Sequence, residues 1–169
     1  KAFEVIEAHL LFGLSAEQID VLVHRQSIVH GLVEMNDGSV FAHMGTPDMR
    51  LPILHALTFP ERNAIGIPRL NLAEVGTLTF ERPDPRRYPG LALGFEAVRR
   101  GGTLGAIINA ANECAVEAFL QGAIPFTAIV RTAEEVVCRH SFRENPTLEE
   151  ILEADAWARE EATRCLKKF

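Results

Sequence analysis

The sequence predicts an α+β chain: a partial domain of helices plus a small mixed sheet, then a linker, then an all-α C-terminal helical bundle. Three observations carry that expectation. Two β-branched runs flank an Asn36-Asp37-Gly38 turn, five prolines crowd residues 58–90, and from residue 91 onward successive apolar stretches carry helix start and stop signals. The expected divisions are 1–57, 58–90 and 91–169.

The first element is a helix, because Phe3, Ile6, Leu10 and Leu11 recur at helical spacing and Gly13 readily takes the left-handed conformation that ends one. Ser15 and Gln18 have the spacing of a capping box, so a short helix is expected from Ala16. Residues 21–24, 28–35 and 39–44 are rich in β-branched and apolar side chains and read as strands. Asp37-Gly38 tolerates the positive φ angles of a tight reversal, which joins the last two strands as a hairpin. Both strand faces are apolar over part of their length. One face is therefore expected to lie under helices and the other under a further domain or a second subunit. Asp48 is placed to cap a helix over about residues 49–57, with Pro52 tolerable only in its first turn.

Between residues 58 and 90, Pro60, Pro68, Pro83, Pro85 and Pro89 leave no room for a long element, although residues 76–80 could pair as a short strand. Helices then follow over 91–100, stopped by Gly101-Gly102, and over 103–121, stopped by Gly122. Thr127 opens another, to about His140, and Thr147 with Glu150 repeats the capping-box spacing. Asp155 is a good N-cap, so the last stretch is expected to divide there, leaving a terminal helix through Trp157, Ala158, Ala162 and Leu166.

At 169 residues the chain is long enough to bury a core, and because it opens directly on a helix without Met it is expected to be a piece of a longer polypeptide. A net charge of −6 disfavours a polyanion, so no nucleic-acid partner is expected. The apolar stretch 104–111 is too short to cross a bilayer, so no membrane partner is expected either, and the expected location is the cytoplasm or the interior of a plastid-type organelle. Cys114, Cys138 and Cys165 are widely spaced and lack zinc-ligand spacing, which points to ordinary reduced thiols.

Lys1 and Glu4 lie three apart, on one face of the opening helix. Taken alone, such a pair is a solvated contact worth about a few tenths of a kcal/mol. A longer pattern gives it another meaning. Lys1-Ala2-Phe3-Glu4-Val5-Ile6-Glu7-Ala8, His24-Arg25-Gln26-Ser27-Ile28-Val29-His30, Asp37-Gly38-Ser39-Val40, Gly45-Thr46-Pro47-Asp48-Met49-Arg50-Leu51-Pro52 and Ile108-Asn109-Ala110-Ala111-Asn112-Glu113 follow one another in order. Together they resemble the 1-deoxy-D-xylulose 5-phosphate reductoisomerase family, over the whole chain but over only the C-terminal portion of such an enzyme.

The resemblance implies that residues 1–57 are the C-terminal part of a catalytic domain, and that the NADPH-binding domain and the start of the catalytic domain lie outside this chain. It implies an enzyme of non-mevalonate isoprenoid biosynthesis that makes 2-C-methyl-D-erythritol 4-phosphate with NADPH and Mg²⁺ or Mn²⁺. By the same resemblance Lys1 binds the phosphate end of the substrate, where a compact ammonium suits a dianion. Glu4 is the third carboxylate ligand of the metal and touches the substrate, since hard cations take carboxylate oxygens. The other two metal ligands precede Lys1, so the chain alone is expected to be inactive. His30 and Ser27 are candidates for the edge of the substrate pocket, although a strand histidine among apolar neighbours is more usually structural. Pro47 and Met49 match a segment near the nicotinamide end of the cofactor, and read equally well as a stiff turn and a gap-filler. Arg25 departs from the family's proline, a change expected to affect the start of the strand.

His9, His24, His43, His55 and His140 lack ligand spacing and read as structural. The alanines and amides of Asn109-Ala110-Ala111-Asn112 point to close helix packing, and Trp157 to a packing anchor. The family association implies a homodimer formed through the sheet near residues 28–44. Two other readings stay open: a helical interaction module without catalysis, and a same-fold enzyme with another substrate.

Overall fold

The computed structural model describes residues 1–169, which form two compact units: Lys1–Asp20 with Asp84–Phe169, and Val21–Pro83. These units follow contact, whereas the expected divisions follow composition: residues 58–83 fall in the unit of the hairpin, and residues 1–20 in that of the C-terminal helices. The opening helix packs with the C-terminal helices.

In the first unit, α1 (Ala2–Phe12) ends at Gly13 in the left-handed conformation, followed by a 3-10 turn at Ala16–Gln18. Ser15 and Gln18 form the expected capping box, the Ser15 N–H donating to Gln18 Oε1 at 2.9 Å. The other helices are α4 (Gly90–Arg100), α5 (Leu104–Leu120), α6 (Ala128–Arg139) and α7 (Leu148–Leu166). Their core is built from small side chains at the centre: Ala110, Ala111, Ala158 and Ala162 are fully buried, flanked by Leu104, Ile107, Val136 and Cys165. Alanines let helix backbones approach closely, and α5 packs against both α7 and α6. Trp157 and Cys114 lie half-buried against this core.

The helix α7 runs undivided, against the expected break at Asp155. Asp155 accepts from Arg159 one turn on, at 2.7 Å, so its carboxylate supports the continuing helix instead of capping a new one. Thr147 and Glu150 do form the expected capping box. Burial of α1 also differs from its apolar pattern. Val5 is buried and Phe3 and Ile6 rest on the core, while Leu10, Leu11 and Phe12 are about three-quarters exposed.

In the second unit, β1 (Val29–Glu34) and β2 (Val40–Met44) form a two-stranded antiparallel hairpin, in place of the expected mixed sheet. Gly38 takes φ 82° at the reversal, and Asp37 accepts from the Ser39 N–H at 2.9 Å. Residues 21–24 contribute one bridge, Val23 to Glu81, and no strand. Neither face of the hairpin is covered in this chain. Leu32, Val33, Val40 and Phe41 all stay exposed, because two strands with no helix packed on them cannot bury either side.

After β2, Asp48 accepts from the Arg50 N–H at 2.9 Å at the start of α2 (Arg50–Thr58). The proline-rich stretch carries more structure than a linker: α3 (Leu72–Val75) is capped by Asn71, and residues 77–81 are tied back to residues 23–26. No helix is long and apolar enough to cross a membrane.

Two glycines give opposite expectations in the 169-residue chain. Gly102 has φ 59°, and a Cβ there would run into the Arg143 carbonyl oxygen, so Gly102→Ala should lower stability by about 1–3 kcal/mol in thermal or urea unfolding. On Gly105, inside α5, a Cβ would meet only Ile6 Cγ2 at 3.9 Å, and Gly105→Ala should raise stability by about 0.5–1 kcal/mol through helix propensity.

Candidate functional site

Lys1 and Glu4 meet at the start of α1. The Lys1 Nζ donates to Glu4 Oε1 at 2.9 Å, and the Lys1 α-ammonium lies 2.8 Å from Oε2. Both side chains face solvent, 70% and 51% exposed. The α-ammonium first, and the side-chain ammonium second, hold the Glu4 carboxyl at about 2, well below its ordinary 4.5. Where another residue precedes Lys1, the α-nitrogen is an amide and the Nζ contact is the one that remains. What aims this pair is the helix beneath it: Val5 is 2% exposed, and Phe3 and Ile6 pack on the bundle core, so the remaining face with Lys1 and Glu4 points outward.

The donor chemistry of Glu4 suits a hard cation, being an ionised, accessible carboxylate. It is a single ligand, however. No group of three or more His, Cys, Asp or Glu side chains comes together anywhere in the chain, so a metal site would need further polypeptide.

The remaining candidates lie in the second unit. Ser27 is the chain's one non-glycine residue with positive φ, at 52°, and closes a turn by donating its N–H to the His24 carbonyl at 3.2 Å. Such backbone is sparsely populated and gathers at working sites. His30 sits where the register slips between Val29 and Gly31, so it is a bulge residue and not the ordinary mid-strand residue expected. Its ring lies 5.6 Å from that of His43, and a Cβ on Gly45 would come within 3.7 Å of its Nε2. Pro47 and Met49 are exposed. Both side chains are uncharged and carry no hydrogen-bond donor for a phosphate.

Sequence reasoning did not single out Arg50. Its guanidinium grips Asp48 with Nε at 2.9 Å from Oδ1 and Nη2 at 2.6 Å from Oδ2, and hydrogen bonds from that side chain hold the Asp48 carboxyl at about 2. The Asp-x-Arg spacing was the available signal. Arg25 pairs with Glu81 at 3.3 Å.

Most of the other histidines have backbone work. His9 donates to the Leu14 carbonyl at 2.7 Å, His24 to that of Thr79 at 2.8 Å while stacking on Phe80, and His55 to that of Glu61 at 3.2 Å. His140 shares a 2.7 Å hydrogen bond with the buried Thr103 hydroxyl, and burial lowers its pKa. The three cysteines are free thiols, and burial raises the pKa of Cys114 and Cys165.

The lowered Glu4 carboxyl makes the pair sensitive to acid. Its contribution is fully present above pH 4.5 and is lost as pH falls through about 2, so acid weakens the pair over that window. A carboxyl ¹³C titration of the 169-residue chain should give a midpoint near 2 for Glu4. A midpoint near 4.5 would mean that the pair does not form in solution.

Residues 44–161 match the family model described as the DXP reductoisomerase C-terminal domain. The 1-deoxy-D-xylulose 5-phosphate reductoisomerase of Pelotomaculum thermopropionicum is 54% identical over 167 residues, 99% of this chain and 43% of that protein. The one from Burkholderia pseudomallei is 54% identical over 169 residues, 100% of this chain and 42% of its own. Among solved structures, the Zymomonas mobilis enzyme in complex with NADPH superposes with TM-score 0.88 at 38% identity, covering 98% of this chain and 44% of that one. A DOX-P reductoisomerase in complex with NADPH, fosmidomycin and magnesium gives TM-score 0.89 at 40% identity, covering 98% and 43%. The chain thus spans less than half the length of the relatives it matches. Over that span, the chain belongs to the DXP reductoisomerase family.

Proposed function

We propose that this chain is the C-terminal part of a reductoisomerase that converts 1-deoxy-D-xylulose 5-phosphate to 2-C-methyl-D-erythritol 4-phosphate, using NADPH and Mg²⁺ or Mn²⁺. The observation that carries the reading is 54% identity, over 99% of this chain, to a protein of that name. In it, Glu4 gives one carboxylate to the divalent cation and Lys1 faces the phosphate end of the substrate. Their location on one exposed helix face supports both roles, since a carboxylate suits a dication and an ammonium suits a dianion. When bound, the cation polarises the ketose carbonyl and the nicotinamide supplies the hydride.

The chain's own contribution is orientation. Burial of Val5 fixes the rotation of α1, and with it the direction of the carboxylate. His30, in the bulge of β1, and Ser27 are assigned to the substrate on the family resemblance. Pro47 and Met49 contribute an apolar wall at the nicotinamide end. The exposed hairpin of β1 and β2 is the surface we assign to a homodimer, and the cytoplasm or a plastid-type organelle is the location that fits this chemistry.

The reading is tested by NADPH oxidation with the deoxyketose phosphate in the full-length parent. Glu4→Gln should cut metal-dependent turnover by at least about 100-fold with unchanged circular dichroism, since loss of even an outer partner of a metal ligand costs about 10- to 100-fold. Unchanged activity removes Glu4 from the metal site. The 169-residue chain alone should show no turnover, because one carboxylate does not make a metal site.

A further inference from the structure

Thr103, the residue before α5, is fully buried, and its hydroxyl stands between two groups of the connection from α6 to α7. The Arg143 N–H donates to Thr103 Oγ1 at 3.4 Å, and His140 Nε2 lies 2.7 Å from the same oxygen. A hydroxyl has one hydrogen to give, and the Arg143 N–H cannot accept it. Thr103 therefore donates to His140, and Nε2 carries no hydrogen. The backbone closes the same junction, with the Thr103 N–H donating to the Arg143 carbonyl at 3.2 Å. Gly102 leaves that carbonyl its place, since a Cβ there would run into the oxygen.

We propose that Thr103 and His140 form a pH-sensitive latch, which holds the α6–α7 connection on the start of α5 while the imidazole is neutral and releases it when the imidazole is protonated. An imidazolium carries a hydrogen on both ring nitrogens. Nε2 then faces the hydroxyl as a donor, and the Thr103 hydrogen loses its acceptor at a buried position. The charges around the ring act in the same direction. Arg100 of α4 and Arg143 of the connection oppose a further cation, while Arg139, at the end of α6, is paired with Glu135 and Glu161. Glu150 and Glu153 of α7 line the same cleft, but Arg143 Nη1 neutralises them from 2.8 Å and 3.5 Å, and Trp157 of α7 offers the imidazole only its ring. Burial first, and the arginines after it, hold His140 below its ordinary 6.5. The latch is thus at full strength above pH 6.5 and weakens as pH falls below it. For a ring that stays neutral when closed and titrates at 6.5 when open, the open population rises by up to about 10-fold between about pH 7.5 and 5.5.

The experiment is amide hydrogen exchange of the full-length parent, read by mass spectrometry on peptides containing Thr103 and Arg143 and corrected for the intrinsic effect of pH. Protection of both should fall by up to about 10-fold between about pH 7.5 and 5.5. His140→Gln offers a carbonyl oxygen that accepts the Thr103 hydrogen at either pH, so protection in this variant should no longer depend on pH. Protection in the parent that is the same at both pH values, or that falls as much in His140→Gln as in the parent, overturns the latch. Should His140→Gln fail to fold, deuterium exchange at the imidazole C2 of His140 decides the matter in the parent itself. A midpoint below 6.5, beside the parent's loss of protection, upholds the latch, and one at or above 6.5 overturns it.

Discussion

The close approach of α5 and α7 is the constraint from which the rest of the helical unit follows. Ala110, Ala111, Ala158 and Ala162 are fully buried, and only side chains this small let two helix backbones come together without a gap. Larger residues then fill the margin, with Leu104, Ile107 and Val136 closing the core. The polar edge is matched by charge. Glu113 on α5 accepts from Arg159 on α7 at 2.7 Å, and the nearly buried Glu161 is paired with Arg139 of α6 and with Arg164. Leaving such a carboxylate unpaired inside would be costly, so these pairs set which faces may meet.

The candidate chemistry rests on that packing through α1. Phe3 and Ile6 lie on the bundle core and Val5 is buried, while Lys1 and Glu4 face solvent. A helix so short would not hold its orientation alone, because isolated helices under about 12–15 residues are marginal in water. The C-terminal helices thus act as the rigid support for a carboxylate at the other end of the sequence.

The second unit is organised differently. It has one hairpin, short helices and a set of side chain to backbone bonds that tie residues 24–26 to residues 77–79. Its apolar strand residues stay exposed, since burial of a sheet face requires a layer that two strands do not provide. Two backbone irregularities of this unit, at Ser27 and at His30, fall on residues named as candidates from the sequence.

Much was legible from the residues themselves. Gly13, the Asn36-Asp37-Gly38 turn and the Thr147-x-x-Glu150 box marked their boundaries correctly because each depends on local φ angles or on a bond spanning three residues. The placement of Lys1 beside Glu4 is local in the same way. Tertiary structure decided what periodicity could not: that Leu10 and Leu11 stay exposed while Val5 is buried, that Asp155 supports one long helix, that residues 77–81 return to residues 23–26, and that His30 stands in a bulge. Each of these depends on which distant segment supplies a partner, and a spacing rule carries no information about partners fifty residues away.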